Sequence, residues 1–358
     1  MIEINTDIKI AVAGCGSAGR SNIREFLKVD EVEISACCDT EETLARHTAQ
    51  EFGIPSYYPD LAEMLEAEAV DALVVAVPDG EHMNAVMEAF NRGINVFCEN
   101  PLASSYAEAV EMTRAARESG LVAMVNHSAM EMSVVKSALK YIENGSLGRI
   151  KYFEASLMQN RLDAAILDDP YEEKRLIWRL SAATGSAGAI GELGSTLYEL
   201  AVASCGEPSE VSAMIKNIAG FNEIDEYQEL DLTAGDTFVC QLDFANGAAG
   251  VIRGSWTAGG PYEQLTISVY GEDGMLTLDT SISENEFTLY SPEGSAKIPA
   301  EKPESSLQDV FVSVIKGEAA QVSGFDSALK IQYFIEQSRL SAEGGLRLQF
   351  DAAEDSEI

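Results

Sequence analysis

The first 127 residues alternate between short apolar runs and longer segments with helical spacing. The apolar runs are IKIAVAG (8–14), VEISACCD (32–39), VDALVVAVP (70–78), INVFCE (94–99) and LVAMVNH (121–127). Between them lie segments such as SYAEAVEMTRAARESG (105–120), in which apolar residues recur about every 3.6 positions before a closing glycine. Because strands that are apolar along their whole length must be covered on both faces, this pattern predicts a parallel sheet between two layers of helices.

The rest of the chain follows a different pattern. A helix over 132–145 precedes a long strand over 148–161, and another helix is predicted around 188–205. Alternating strands follow, with hairpin turns at Asn246-Gly247 and at the Gly-Glu-Asp-Gly of 271–274. Strands joined by such short turns run antiparallel, so this part predicts a large, open, mainly antiparallel sheet.

A chain of 358 residues is long enough for two domains, each with a core of its own. The change of pattern divides it into an N-terminal α/β domain over 1–127 and a C-terminal α+β domain over 128–350. The predicted last helix, 325–342, is a candidate for packing back on the first domain.

The composition restricts the possible partners. There are 24 Lys and Arg against 59 Asp and Glu, a net charge of −35, so nucleic acid and anionic membrane surfaces would be repelled. No apolar stretch reaches the roughly 18 residues of a membrane helix, and the start of the chain lacks the features of a signal peptide, so we expect a cytoplasmic protein. The six cysteines form no C-x-x-C pair and the three histidines are scattered, so we expect buried cysteines and no metal site.

The first strand is followed by a glycine motif. Gly14, Gly16 and Gly19 form G-x-G-x-x-G at the start of a helix. The first glycine suits a tight turn, the second a close approach of the backbone to a pyrophosphate, and the third close packing of helix and strand. The start of the helix, with Ser17 and Ala18, would supply N–H groups and a positive dipole end to the phosphates. The motif predicts a Rossmann dinucleotide-binding domain.

Asp39 ends the second predicted strand, 20 residues after Gly19. At this position a carboxylate can accept hydrogen bonds from a ribose 2′-hydroxyl. It would repel a 2′-phosphate, and the next residue, Thr40, is not basic. The expected cofactor is therefore NAD rather than NADP.

Four segments resemble one family: VAVPDGEHMNAVMEAFNRGINVFCENPLA (74–102), NGSLGRIKY (144–152), GDTFVCQLDFANGAAGVIRGSW (235–256) and VYGEDGML (269–276). They are similar to the glucose–fructose oxidoreductase, inositol dehydrogenase and MocA (Gfo/Idh/MocA) oxidoreductases, and the similarity covers nearly the whole chain. It implies a nicotinamide cofactor and a sugar, inositol, related polyol or glycoside as substrate. It also implies a homo-oligomer, a dimer or tetramer, built through the open sheet. The resemblance adds Pro78, His82 and Glu99 to the residues expected near the cofactor.

The chain departs from the family at two positions that carry its proton chemistry. Glu99, Asn100 and Pro101 stand where the family has Glu-Lys-Pro, and asparagine can orient a substrate hydroxyl but cannot exchange a proton near neutral pH. In GSAGAIGELGSTLYEL (185–200), Glu192 matches the family's acid, and Thr196 stands where its histidine would act as base.

Two residues are candidates to carry the proton instead. His127 ends the last strand of the first domain and should point toward the same crevice; the alternative is a hydrogen-bonded histidine at a strand end. Glu192 would have a raised pKa if it were partly buried; the alternative is a helix acid on a solvated face. His82 follows Pro78 at the start of a helix, and we favour a structural role for it.

Three residues are candidates for substrate binding. Trp178 and Arg179 resemble a Trp-Arg pair that borders the family's substrate pocket, and Arg161 ends the long strand. An arginine there suits an acidic or hydroxyl-rich substrate, whereas a surface ion pair is the alternative. The acidic segment over 162–176 could close over a ligand or could simply be solvated.

Two classes of function remain open. The first is an NAD-dependent oxidoreductase that acts on a sugar, inositol or related polyol or glycoside, with its proton chemistry relocated. The second is an NAD-binding partner or sensor without turnover. Gly16 and Asp39 are both present, which favours cofactor binding in either case.

Overall fold

The computed structural model describes residues 7–162, 177–221, 230–260, 263–319 and 324–350. The chain divides into two compact units. The first contains the chain up to His127 together with Glu304–Leu329, and the second contains Ser128–Pro303 and the chain from Lys330 onward. Most of the predicted acidic segment and the last eight residues lie outside the described residues.

The first unit contains a six-stranded, wholly parallel sheet in the order β3-β2-β1-β4-β5-β6. The strands are β1 (Ile8–Ala13), β2 (Val32–Cys38), β3 (Ser56–Tyr58), β4 (Ala72–Val75), β5 (Asn95–Glu99) and β6 (Ala123–Asn126). The strand order reverses beside β1, which is the switch point where open α/β sheets bind ligands. The Rossmann prediction is confirmed, although the three-residue strand β3 was not predicted.

Helices cover both faces of this sheet. They are Ser17–Phe26, Glu42–Phe52, Leu61–Ala67, His82–Asn91, Tyr106–Ser119, Leu307–Ile315 and the start of Phe325–Gly344. In the helix Tyr106–Ser119 the Ser105 hydroxyl accepts a hydrogen bond from the Glu108 N–H at 3.3 Å, and Gly120 ends the helix in the left-handed conformation at φ +64°. This helix begins and ends where its sequence predicts.

One face of the first sheet is packed with aromatic rings. Phe26 and Phe311 both meet Phe97 of β5 edge-on, with ring centroids 5.3 and 5.2 Å apart. Phe311 lies on the helix Leu307–Ile315, which begins with a capping box formed by Ser306 and Asp309. A segment far along the chain therefore completes the core of the first unit.

The second unit contains a nine-stranded sheet in the order β14-β13-β12-β11-β7-β10-β9-β8-β15. The strands are β7 (Ile150–Gln159), β8 (Pro208–Lys216), β9 (Thr237–Phe244), β10 (Ala249–Ser255), β11 (Glu263–Gly271), β12 (Met275–Asp279), β13 (Glu286–Ser291), β14 (Gly294–Pro299) and β15 (Leu348–Gln349). Only β7 and β10 pair in parallel among these described strands. The prediction of a mainly antiparallel sheet is confirmed, and Gly247, at φ +85°, turns the chain between β9 and β10 as expected.

The remaining helices of this unit are Ser128–Glu131, Ser133–Glu143, Gly188–Cys205 and the rest of Phe325–Gly344. The buried face of the sheet packs on Gly188–Cys205, where Leu193 and Leu197 join Phe238 and Ile252 in one apolar core. Among the described residues, none of the helices combines the length and the apolar character that crossing a membrane requires.

The opposite face of the sheet is mixed in character. Tyr152 and Tyr270 meet edge-on at 5.8 Å between ring centroids, and the Ser156 and Thr266 hydroxyls are 2.6 Å apart. This face of the sheet therefore carries polar as well as apolar side chains. Hydroxyl groups and the Arg253–Glu154 ion pair accompany the tyrosines on these strands.

Candidate cofactor-binding and substrate-binding sites

Two glycines of the turn between β1 and the helix Ser17–Phe26 have no room for a side chain. A Cβ atom on Gly14, which has φ +93°, would lie 2.3 Å from the Ala76 carbonyl oxygen, and one on Gly19 would lie 1.8 Å from the Gly14 oxygen. Gly16 is the N-cap residue and provides no side-chain cap to the helix. The N–H groups of the first turn, which includes the exposed Ser17, are therefore available to an anionic group, as dinucleotide binding requires.

Asp39 follows β2 at the same edge of the sheet. One of its carboxylate oxygens accepts a hydrogen bond from the Cys15 N–H at 2.9 Å, and the other accepts one from the Glu41 N–H at 2.9 Å. The first bond fixes the glycine-rich turn to the end of β2. Asp39 is half-buried and Thr40 is exposed. The residue expected at the ribose thus also organises the turn expected at the pyrophosphate.

Pro78 and His82 lie beyond the end of β4. The exposed Pro78 precedes a short 3₁₀ turn over Asp79–Glu81, and its carbonyl oxygen accepts a hydrogen bond from the Glu81 N–H at 2.8 Å. The His82 ring is buried, with Nε2 2.9 Å from the Val77 carbonyl oxygen and Nδ1 3.0 Å from the Pro101 carbonyl oxygen. These contacts tie the exit of β4 to the segment after β5.

Two asparagines that the sequence did not single out hold Glu99 at the end of β5. Asn22 and Asn126 both donate a side-chain N–H to Glu99 Oε1, at 2.5 and 2.7 Å. Asn22 also donates to the Ala18 carbonyl oxygen at 3.0 Å, in the first turn of the glycine-motif helix. Asn126 could have been found from the sequence, because it is a polar residue at the end of an apolar strand. Nothing in the sequence pattern singled out Asn22.

Asn100 and His127 follow the ends of the neighbouring strands β5 and β6, where Glu99 pairs with Asn126 in the sheet register. Asn100 is half-buried, and His127 is 3% exposed. The structure thus places the substituted family position and our first candidate base at the carboxyl edge of the first sheet.

Glu192 of the second unit is held by two arginines. Its Oε1 accepts from Arg161 Nη1 at 2.8 Å and its Oε2 accepts from Arg179 Nε at 3.1 Å. Burial acts to raise the pKa of Glu192, but the two guanidinium groups outweigh it and the pKa is lowered. The expected upward shift was therefore wrong, because the sequence did not show that both cations converge on this carboxylate.

Trp178 and Thr196 extend the Glu192 cluster. The Arg179 guanidinium lies over the Trp178 ring at 4.5 Å from its centroid, a cation–π contact that orients the guanidinium plane. Thr196 is half-buried, one helical turn after Glu192. The neighbouring Tyr198 is fully buried and its hydroxyl is 2.5 Å from Ser338 Oγ, so this residue belongs to the core of the unit.

The first unit fits NAD. Gly14 and Gly19 leave no space for a Cβ, the helix start carries no side-chain cap, and the Asp39 carboxylate is bonded to the turn at the end of β2. All six cysteines are buried and free, and the described residues contain no group of three or more His, Cys, Asp or Glu side chains placed to hold a metal ion. Fold and site together define an NAD-binding Rossmann protein with a second α+β unit.

Comparison with known protein families supports the assignment as an NAD-binding Rossmann protein. Residues 8–127 match the model described as an oxidoreductase family with an NAD-binding Rossmann fold, and residues 135–277 match the Gfo/Idh/MocA C-terminal domain. Because the two models together match well over half of the chain, the protein belongs to the Gfo/Idh/MocA family of NAD-binding oxidoreductases.

Individual relatives include sugar dehydrogenases. The chain is 25% identical to levoglucosan dehydrogenase of Pseudarthrobacter phenanthrenivorans over 249 residues, 66% of this chain and 62% of that protein. It is 23% identical to D-apiose dehydrogenase of Paraburkholderia graminis over 364 residues, 97% of this chain and 90% of that protein. The solved structure of levoglucosan dehydrogenase with NADH and levoglucosan superposes with a TM-score of 0.84 at 18% identity, covering 96% of this chain and 99% of the other, which shows a shared fold.

Proposed function

We propose that this protein is an NAD-dependent oxidoreductase that transfers hydride between the cofactor and a carbon of a sugar, inositol or related polyol or glycoside. The observation that carries the proposal is the assembled cofactor side: Asp39 bonded to the glycine-rich turn, and Glu99 held by two amides. A chain that no longer used NAD would have little reason to keep this arrangement. The named sugar dehydrogenases among its relatives support the substrate class.

The proposed reaction needs a hydride acceptor, a group that orients the reacting hydroxyl, and a base. NAD, when bound, supplies the hydride acceptor. Asn100 is the residue we assign to orienting the reacting hydroxyl, since its amide both donates and accepts hydrogen bonds. We assign the proton to His127, because it follows β6 beside the end of β5 that carries Asn100, whereas the ion-paired Glu192, with its lowered pKa, is a poor base near neutral pH.

In the second unit the cluster of Arg161, Arg179 and Glu192 is proposed to contact the polar groups of the substrate. Its guanidinium groups are about one-fifth exposed, at 19% and 22%, and so are partly desolvated. Trp178 supplies an apolar face beside them, a combination suited to a ring that carries hydroxyl or carboxylate groups. Thr196, on the same helix, can add one hydroxyl contact.

The alternative is an NAD-binding partner or sensor without turnover. Asn100 and Thr196, at the two positions where the family usually has lysine and histidine, favour it. In that case the cofactor would bind and no sugar or polyol would reduce it.

Single-turnover reduction of bound NAD separates the two. A panel of sugars, polyols and glycosides should reduce bound NAD, and His127→Ala should slow the step by about 10²–10⁴-fold. His47→Ala is the matched control, because His47 is exposed on a helix of the same unit. If no compound reduces NAD and no keto compound oxidises NADH at any pH, the sensor function replaces the enzyme. If turnover occurs and His127→Ala leaves it unchanged, the base assignment is wrong.

We further propose that the first unit binds the cofactor and the second binds the substrate and forms a dimer or tetramer through the mixed face of its sheet. Tyr152 and Tyr270 are two large side chains on that face, and Tyr270 is exposed. Light scattering at micromolar concentration tests the assembly, and a monomer would contradict it.

A cytoplasmic location is proposed because buried, free cysteines suit a reducing compartment.

A further inference from the structure

His82 has an unusual environment for a buried histidine. The residue is 1% exposed, and both ring nitrogens lie at hydrogen-bonding distance from backbone carbonyl oxygens. Nδ1 is 3.0 Å from the Pro101 oxygen and 3.3 Å from the Leu102 oxygen, and Nε2 is 2.9 Å from the Val77 oxygen. Each ring nitrogen therefore faces at least one carbonyl oxygen, and the Cys98 sulfur also lies 3.6 Å from Nδ1.

A carbonyl oxygen can only accept, whereas a neutral imidazole carries a single N–H. In either neutral tautomer one ring nitrogen would direct its lone pair at a carbonyl oxygen. Only the doubly protonated ring donates on both sides. The short distances to carbonyl oxygens on both sides therefore favour the doubly protonated ring over either neutral tautomer.

The surrounding charges agree with this assignment. Burial acts to lower the pKa of His82, but Cys98, Asp79 and the Val77 carbonyl outweigh it and raise the pKa to about 10. The Cys98 sulfur lies 3.6 Å from Nδ1, on the strand β5, and Asp79 lies in the turn that precedes the helix of His82. Both elements therefore present groups that favour a cation.

We propose that His82 is kept as an imidazolium at physiological pH and that, in this state, it positions the segment carrying Asn100. Val77 leaves β4, whereas Pro101 and Leu102 directly follow Asn100, so the ring links one strand end to the other. Loss of either N–H would break one side of this link. His82 is thus a positioning residue that acts through Asn100, and this kinetic part rests on the proposed function.

The protonation state can be measured directly on the whole protein. With ¹⁵N-labelled histidine, two-dimensional NMR at pH 8 should show His82 protonated on both ring nitrogens. His47, which is exposed, gives a second histidine signal in the same spectrum for comparison. A single protonated nitrogen on His82 at pH 8 overturns the proposal, whether or not any substrate is turned over.

The positioning role is tested by His82→Gln against His47→Gln. A glutamine cannot donate from two opposite sides, so hydride transfer should slow on the order of 10²-fold, the effect of a small misplacement of reacting groups. The affinity for NADH, followed by fluorescence, should change far less. An unchanged rate in His82→Gln overturns the positioning role. If this variant does not fold, the NMR result on the wild type still decides the charge. Cys98→Ala, which removes the strongest of the groups that raise the pKa of His82, should then lower the pH above which hydride transfer slows, and a rate that this variant leaves unchanged at every pH would overturn the positioning role.

Discussion

Replacement of Glu192 by glutamine tests whether this carboxylate holds the two arginines in place or acts as the catalytic base. The carboxylate takes one hydrogen bond from each of two arginines, and the three side chains are 19–25% exposed. Breaking a fully buried pair costs about 3–5 kcal/mol, whereas exposed pairs are worth at most about 1 kcal/mol. For this partly exposed cluster we expect about 2 kcal/mol of lost stability, which for a unit of this size lowers Tm by roughly 4–8 °C.

The assay is thermal unfolding of the wild type and Glu192→Gln, together with a pH–rate profile. The matched control is Glu272→Gln, because Glu272 accepts from Arg149 at 2.9 Å with both side chains well exposed. That change should cost less than about 1 kcal/mol. In the kinetic profile, Glu192→Gln should weaken substrate binding and leave the pH dependence near neutrality unchanged, since the pKa of Glu192 is lowered.

Two results would refute this reasoning. An unchanged Tm in Glu192→Gln would mean that the guanidinium groups do not depend on the carboxylate. Loss of a titration near neutral pH in the rate profile of the variant would show that Glu192 carries the proton after all.

Three further outcomes are expected. Asp39→Ala should weaken NADH binding in a fluorescence titration and reduce the difference in affinity between NADH and NADPH. The reason is that the carboxylate expected at the ribose and its bond to the Cys15 N–H are both lost. Tighter binding of NADPH than of NADH by the wild type would contradict this. Gly19→Ala should destabilise the first unit by about 1–3 kcal/mol in urea unfolding, because its Cβ would lie 1.8 Å from a carbonyl oxygen; equal stability would show that the turn can relax. Because the pKa of His82 is raised to about 10, its charge stabilises the fold fully below about pH 6.5, and this contribution is lost as the pH rises toward 10. His82→Gln should therefore reduce the fall in the free energy of unfolding between about pH 7 and about pH 9.5. Parallel stability curves for the variant and the wild type would argue against a charged ring.

The sequence predicted features that depend on neighbours along the chain. The helix Tyr106–Ser119 begins at a serine cap and ends at Gly120, and the Asn246-Gly247 turn joins β9 to β10, because capping and turn preferences are local. The spacing of Asp39 from Gly19 predicted its place at the edge of the sheet for the same reason: one strand–helix–strand unit fixes the distance.

Features that depend on distant parts of the chain were not predicted. Glu99 meets Asn22 from 77 residues earlier, and Glu192 meets Arg161 from 31 residues earlier. Neither pairing leaves a periodic signal. The helix Leu307–Ile315 was also missed: its Val310, Val312 and Val314 favour strands, and its capping box and the burial of Phe311 override that preference.

The return of Glu304–Leu329 to the first unit limits how the cofactor-binding part can be separated or exchanged. A fragment that stops at His127 would lack Phe311 and so leave Phe26 and Phe97 without an aromatic neighbour that completes their cluster. It would also lack the hydrogen bond that Thr113 donates to the Phe325 carbonyl oxygen. The Rossmann unit is therefore not a contiguous module. A chimera that joins it to the second unit of a relative should retain residues 304–329 of this chain together with its N-terminal part.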